Sequence, residues 1–439
     1  MSETDENSQF SKVDKVKKIF LEWSQRMNLN CYTKIFIYRH KPLISLIWLF
    51  ILLASSGITF WLIVNSILDY FNHSIVSQIG IAYETKSLFP TVTICDNNPF
   101  TTLQAQDMYE EVAKNFNILP NDSRIVDYAN LIVSDPFYGD MKKQSYGLNL
   151  NQIISCTFNG QPCNVTRDFD WIWIYSYGNC WQFNANLSSD SNLKKSYDDI
   201  YFGLNLTVSL EIKNKYLYST NYLNGLLVLI HNNSFSPYYN EKSKAFVETG
   251  KKTFIAVKRT FNYKMAYPYS QCVDLNHYSS ELYDLIVSNR TYRQSDCFKL
   301  CRQKLYIERC GCNIFNDYLN VNPTVRFCKN ESDYACFMNI YTYYSREECE
   351  KNLCPLECNS VQYDLSLSSL SFTNNNLNVQ LVIYYPALEY TIIKESPQTT
   401  GLDLFAKIGG TLGVLIGLSV FTLFEIVEIL VLVIRALIF

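Results

Sequence analysis

The chain has 439 residues, 38 Lys plus Arg against 41 Asp plus Glu, and a formal net charge of −3. That balance leaves no basic surface for a nucleic-acid partner. Fifteen cysteines are many for a reducing cytosol and point to an oxidising compartment.

Residues 1–30 are polar and charged and contain no apolar core, so no cleavable signal peptide is expected. Residues 1–42 read as a cytosolic N-terminus. Phe10, Val13, Val16, Phe20 and Met27 fall roughly on one helical face, with Lys12, Lys15, Lys17 and Lys18 around them. This pattern fits a helix lying on the inner leaflet, or equally a short solvated helix. Lys34, Arg39 and Lys41 precede Leu43–Leu68, a stretch of 26 residues without a charge. At about 1.5 Å per residue such a helix is long enough to span a bilayer with tilt. The basic residues before it and Asp69 after it put the N-terminus in the cytosol, so 43–68 is expected to be a first transmembrane helix acting as a signal anchor.

Residues 69–400 are then extracellular, and two features of the sequence agree. Asn-x-Ser/Thr sequons occur at Asn72, Asn121, Asn164, Asn186, Asn205, Asn232, Asn289 and Asn330, all between the two apolar segments. One cysteine, Cys31, lies on the cytosolic side and the other 14 lie outside, an even number as full pairing requires. Zinc is the competing use of Cys310-Gly-Cys312 and Cys297-x3-Cys301. With only 4 histidines, disulfides are preferred; no metal and no cofactor is expected.

A segment of this length exceeds one usual core, so subdomains are expected. Val92–Ile94, Trp171–Tyr175, Gly225–Ile230 and Val379–Tyr384 read as strands. Helices are expected at about 101–117 and 295–310, the latter with Ser295 as N-cap and Gly311 as its stop. Ser345-Arg-Glu-Glu348 fits a capping box. The Ser/Asn-rich stretch Leu365–Asn378 reads as a loop.

The second apolar segment, 401–434, carries what the first lacks: Gly409, Gly410, Gly413 and Gly417, then Glu425 and Glu428. Carboxylates inside a span are costly and face a partner or a water-filled path. On a continuous helix Gly413, Gly417, Phe421, Glu425 and Glu428 share one face, small above and anionic below. Several copies around an axis would make a narrow neck above a ring of negative charge, the construction of a cation pore. A packed helix pairing its carboxylates with basic residues is the plainer alternative. Residues 435–439 form a short cytosolic C-terminus. No phosphate loop, nucleophile elbow or histidine–carboxylate cluster is present, so no enzyme is expected.

Taken together, these residues resemble a known family. Phe89-Pro-Thr-Val-Thr-Ile-Cys95-Asp-Asn-Asn98, Gly178-Asn-Cys180-Trp-Gln-Phe-Asn184, Cys297-x3-Cys301-x8-Cys310-x-Cys312, Cys354-x3-Cys358 and Gly409-Gly410…Gly417-Leu418-Ser419…Glu425 are similar to the signature segments of the degenerin / epithelial sodium channel family, which includes acid-sensing and peptide-gated channels. The resemblance runs from about residue 31 to 428. It implies an integral membrane fold: two transmembrane helices and a large disulfide-rich α+β extracellular domain, with a β core plus helical finger and thumb, assembled as a trimer of identical or related subunits. It also implies a voltage-insensitive, amiloride-sensitive channel passing sodium, with calcium as the candidate second permeant ion.

Gly417, Leu418 and Ser419 would form the selectivity filter, where the helix breaks into an extended belt. Ala406, Gly409, Gly410, Gly413, Glu425 and Glu428 would line the pore or gate, with Ala406 at the outer position where bulky side chains hold such channels open. Tyr269 would couple the extracellular domain to the spans. Asn30 and Cys31 stand where the family has a cytosolic His-Gly pair. The implied bridges are Cys95–Cys180, Cys156–Cys163, Cys272–Cys358, Cys297–Cys354, Cys301–Cys349, Cys310–Cys336 and Cys312–Cys328. Histidine is scarce, and Ile75 stands where acid-sensing members place one. That weakens a proton stimulus and, with the Asn/Tyr-rich composition, favours an extracellular neuropeptide as in cnidarian-type members. A proton-gated or constitutive sodium channel of the same family is the alternative. An ATP-gated purinergic channel is disfavoured by the Gly-x-Ser and cysteine patterns. A two-span receptor or adhesion protein without a pore would leave Glu425 and Glu428 without a purpose.

Overall fold

The computed structural model describes residues 16, 19–20, 22–23, 30–38, 40–135, 138–185, 193–219, 224–233, 243–273, 292–314, 325–343, 349, 353–372 and 378–438. It divides into two compact units, one built from the two ends of the chain (1–76 and 396–439) and one from 77–395.

In the first unit a short helix α1, Asn30–Ile37, leads into α2, Pro42–Phe71. Pro42 sits in the first turn of α2, where its missing N–H costs nothing. The helix outlasts the uncharged stretch 43–68 by three residues, taking in Asp69, Tyr70 and Phe71, and stops at Asn72. Most of its large apolar side chains are exposed, Leu43, Phe50, Phe60 and Phe71 among them. It is the one described helix long and apolar enough by itself to cross a membrane.

The second unit contains two packed sheets. Its strands are β1 Ile75–Tyr83, β2 Thr91–Asp96, β3 Ile153–Phe158, β4 Phe169–Ile174, β5 Gly178–Phe183, β6 Leu204–Ser209, β7 Gly225–His231, β8 Lys244–Glu248, β9 Lys251–Tyr263, β10 Asn359–Ser371, β11 Asn378–Tyr384 and β12 Glu389–Pro397. The larger sheet runs β1-β12-β9-β11-β6-β3 and ends on Gln161–Pro162, with β10 also paired to β9; the smaller runs β8-β7-β2-β5-β4. Alternate residues of each sheet point into one core. Val92 and Ile94, Leu226, Val228 and Ile230 come from the smaller sheet, and Leu204, Leu206, Val208, Val379, Leu381 and Ile383 from the larger. The four strands expected from sequence all form.

Helices α3, Leu103–Phe116, and α4, Ile125–Val133, close a separate aromatic core with Phe100, Tyr146 and Trp173. Helices α5, Gln294–Cys310, and α6, Glu331–Tyr343, make a third. Seven disulfides join Cys95–Cys180, Cys156–Cys163, Cys272–Cys358, Cys297–Cys354, Cys301–Cys349, Cys310–Cys336 and Cys312–Cys328. Both cysteine pairs weighed as zinc ligands are therefore consumed in bridges. The last five bridges are nested, each enclosing the next.

Residues 77–395 form one compact unit with several hydrophobic cores. Two expectations need correction. Helix α5 starts one residue early: Arg293 precedes it without a side-chain cap, and Ser295 lies inside, whereas Gly311 ends it at φ +65° as expected. Within the expected loop 365–378, residues 365–371 are strand and 373–377 lie outside the described residues. Leu365 and Leu367 lie opposite Val257 and Ile255 in the β9–β10 ladder, so leucine at every second position outweighs the serines between. The capping box at 345–348 lies outside the described residues. So do Phe10, Val13, Met27, Lys12, Lys15, Lys17 and Lys18.

Candidate pore and gating site

The second apolar segment is not one helix. It forms α7, Gly401–Leu415, and α8, Val420–Ile438, which meet at 77° across Ile416–Ser419. Gly413 and Gly417 therefore do not share a continuous face with Phe421, Glu425 and Glu428, and that expectation is corrected. The local chemistry explains the break. Gly417 has φ +82°, a conformation that costs a side-chain-bearing residue about 1–2 kcal/mol. The carbonyl of Leu412 accepts from both Ile416 and Leu418 N–H at 3.1 Å, ending α7. Ser419 then caps α8: its Oγ accepts from Thr422 N–H at 3.3 Å, and its own N–H donates to Thr422 Oγ1 at 3.1 Å. Thr422 is fully buried. So in Gly-Leu-Ser the glycine permits the turn and the serine starts the next helix.

Above the break, α7 opens with a reciprocal cap. Asp403 N–H donates to Thr400 Oγ1 at 3.1 Å, while the Asp403 carboxylate accepts from Thr400 N–H at 3.0 Å and Oγ at 2.7 Å. Lys407 Nζ donates to Thr399 Oγ1 at 3.3 Å. Leu404, Ile408, Thr411, Leu412 and Leu415 are half-buried at helical spacing, on the stripe that packs α7 on α2, and Ala406, Gly409, Gly410 and Gly413 are exposed away from it. A Cβ on Gly409 or Gly410 would meet nothing within 4 Å. Below the break, Phe421, Glu425 and Glu428 remain on one face of α8, Glu425 half-buried and Glu428 exposed. The Trp23 indole Nε1 donates to the Glu425 backbone carbonyl at 3.0 Å, a contact between the N-terminal segment and α8 that sequence reading missed. An indole among lysines was the available signal. Asn30 and Cys31 open α1; their side chains lie outside the described residues.

In the second unit, Tyr269 is half-buried, two residues past the cis Tyr267–Pro268 peptide, and its N–H donates to Ala266 O at 3.1 Å. The two helical groups are tied together by side chains. Tyr334 OH of α6 donates to Asp127 of α4 at 2.8 Å, the Lys329 ammonium meets Asp135 at 2.6 Å, and the Tyr334 ring lies 4.7 Å from Tyr128. Burial raises Asp127, whereas the paired Arg326 guanidinium holds Asp333 down at about 2. The sequons at Asn72, Asn121, Asn164, Asn205, Asn232 and Asn330 are exposed or half-buried; Asn186 and Asn289 lie outside the described residues.

Comparison with known proteins adds the following. The family model described as "Amiloride-sensitive sodium channel" matches residues 23–429. The human bile acid-sensitive ion channel is 23% identical over 425 residues, covering 87% of this chain and 80% of its own. The zebrafish acid-sensing ion channel 1C is 23% identical, covering 92% of this chain and 82% of its own. The gamma subunit of the rat epithelial sodium channel is 27% identical over 308 residues, 63% of this chain and 46% of its own.

Proposed function

The chain belongs to the amiloride-sensitive sodium channel family, and from that premise we propose that it is a pore-forming subunit of a ligand-gated sodium channel in the plasma membrane. The carrying observation is the break at Gly417–Ser419, between an outer helix with an exposed glycine face and an inner helix bearing Glu425 and Glu428. In this reading α7 and α8 together form the second span (401–434), broken as a filter requires, and 43–68 is the first. Residues 1–42 and 435–439 are cytosolic and 69–400 extracellular. Three copies, identical or related, surround the axis. Gly417–Ser419 strips water from sodium, Glu425 and Glu428 supply negative potential on the cytosolic side, and Ala406 lines the outer gate with Gly409, Gly410 and Gly413. The disulfide-bridged helices α5 and α6 act on the spans through Tyr269, and Trp23, Asn30 and Cys31 bear on the inner pore.

The stimulus in this reading is an extracellular amidated neuropeptide that binds the open state better and so shifts the equilibrium. His231 supports a stimulus other than protons: it is buried and held neutral, its pKa lowered to about 3 by desolvation. Protons and bile acids are the competing stimuli, given what the related channels are named for.

The pore test needs no ligand. Ala406→Phe expressed in oocytes beside the parent chain should carry a standing inward sodium current that amiloride blocks. Peptides, acid and bile acids applied to the parent then identify the stimulus, and a response to acid or bile acid alone replaces the peptide. Protein at the surface that passes no current, whether alone, with a related subunit or with Lys407 also replaced by Glu, removes the pore assignment.

A further inference from the structure

Lys407 is the one cation on α7, and no other charge lies between it and Glu425 on the far side of the break. Its position is informative. Asp403, Lys407, Gly410 and Val414 are all exposed and recur at spacings of four, three and four; three further is Gly417. This strip flanks the side of α7 that packs on α2 and runs down to the turn where the helix breaks. The ammonium stands about ten residues above the break, roughly 15 Å along the axis.

The ammonium is held back. Nζ donates to Thr399 Oγ1 at 3.3 Å, and Thr399 is buried at the entrance to α7. Asp403, one turn above, accepts from the N–H and hydroxyl of Thr400 and lies within Coulombic reach of Lys407 without forming an ion pair with it. Lys407 is thus turned toward the Thr399 end of the helix.

Resting on the pore assignment above, we propose that Lys407 is a specificity-determining residue: a positive charge at the outer mouth that selects sodium against divalent and organic cations. The physics follows from charge number. A fixed cation repels an approaching ion in proportion to that ion's charge, so calcium or magnesium meets twice the barrier sodium does at the same distance. An organic cation, which must dwell at the mouth to block, loses affinity while a transient sodium ion loses little. Thr399 moderates the effect, because its hydroxyl keeps the ammonium off the path.

The test uses the full chain carrying Ala406→Phe, so that current flows without the activating ligand. Lys407→Met and Lys407→Glu are compared with it for half-block by extracellular calcium and by amiloride, and for unitary sodium conductance. Charge reversal should strengthen calcium block roughly tenfold, strengthen amiloride block in the same direction and raise inward unitary conductance, with Lys407→Met between. Thr399→Val keeps the lysine but frees it, and should lower unitary conductance. If Lys407→Glu moves none of these beyond twofold while a Ser419 substitution in the same background changes the permeability ratio, the inference is overturned and the pore assignment stands. If Ala406→Phe is silent and its Lys407→Glu double variant conducts, the lysines themselves closed the mouth and the inference holds. Silence of both, with protein at the surface, overturns it together with the pore assignment.

Discussion

His231 carries its ring inside the smaller sheet, with Nε2 2.9 Å from Thr93 Oγ1 and Nδ1 3.0 Å from the Asn232 carbonyl. Gln182 Nε2 donates to the same threonine oxygen at 3.1 Å, so Thr93 gives its proton to Nε2 and the ring is protonated on Nδ1 alone. A second proton has nowhere to go. Because the folded-state pKa is depressed to about 3, from about 6.5 in an unfolded chain, the stability this residue confers is present above pH 6.5 and is lost as pH falls toward 3. Thermal unfolding of the solubilised channel should show about 2 kcal/mol of that loss at pH 5, and His231→Gln should flatten it. Asp96 titrates with the opposite sign. It is buried at the end of β2 beside the Cys95–Cys180 bridge, accepts only from Asn98 among the described residues, and desolvation raises it to about 7. Its folded-state pKa is raised, so its stabilising effect is greatest in acid and is lost as pH rises from about 4 through 7. Asp96→Asn should therefore raise the unfolding temperature at pH 8 and change it little at pH 4.

At the scale of elements, what the sequence made legible was local and periodic. The strands at 92–94, 225–230 and 379–384 are apolar, β-branched runs, and α5 has a glycine stop that the backbone takes at φ +65°. The break at 417–419 is legible only through the family resemblance: the residues by themselves read as one continuous helix, and the cap that Ser419 makes on α8 is a finding of the structure. What stayed hidden was composition working against pattern. Serine disguised β10, and α6, with apolar and aromatic residues spread around its circumference, offered too weak a one-sided stripe to be read. The turn that separates Gly413 from Glu425 likewise defeats any helical wheel drawn through it. Two measurements belong here. Gly417→Ala forces a side chain into φ +82° and should reduce surface expression or alter permeability ratios, whereas Gly410→Ala, with open space at its Cβ, should be tolerated by the fold. Replacing Cys310 and Cys336 together by serine opens a bridge across 26 positions. The loss should be roughly 3–4 kcal/mol on loop-entropy grounds, read as a lower unfolding temperature.

For the whole molecule, the assignment of sides is testable without function. Enzymatic removal of N-glycans should lower the apparent mass by several glycans. Asn121→Gln and Asn330→Gln should each remove one, and a sequon placed within residues 1–42 should remain bare. Glycosylation of that engineered sequon would reverse the topology. The nested bridges carry a consequence for how the molecule is made. Cys312–Cys328 closes 16 positions, and around it lie Cys310–Cys336, Cys301–Cys349, Cys297–Cys354 and Cys272–Cys358, spanning 26, 48, 57 and 86. No strand of this set crosses another. The region can be laced like a boot, from the innermost eyelet outward, each knot shortening the free length the next must gather in. Oxidative assembly in the secretory pathway can then proceed pair by pair, with no cysteine having to thread a loop already tied.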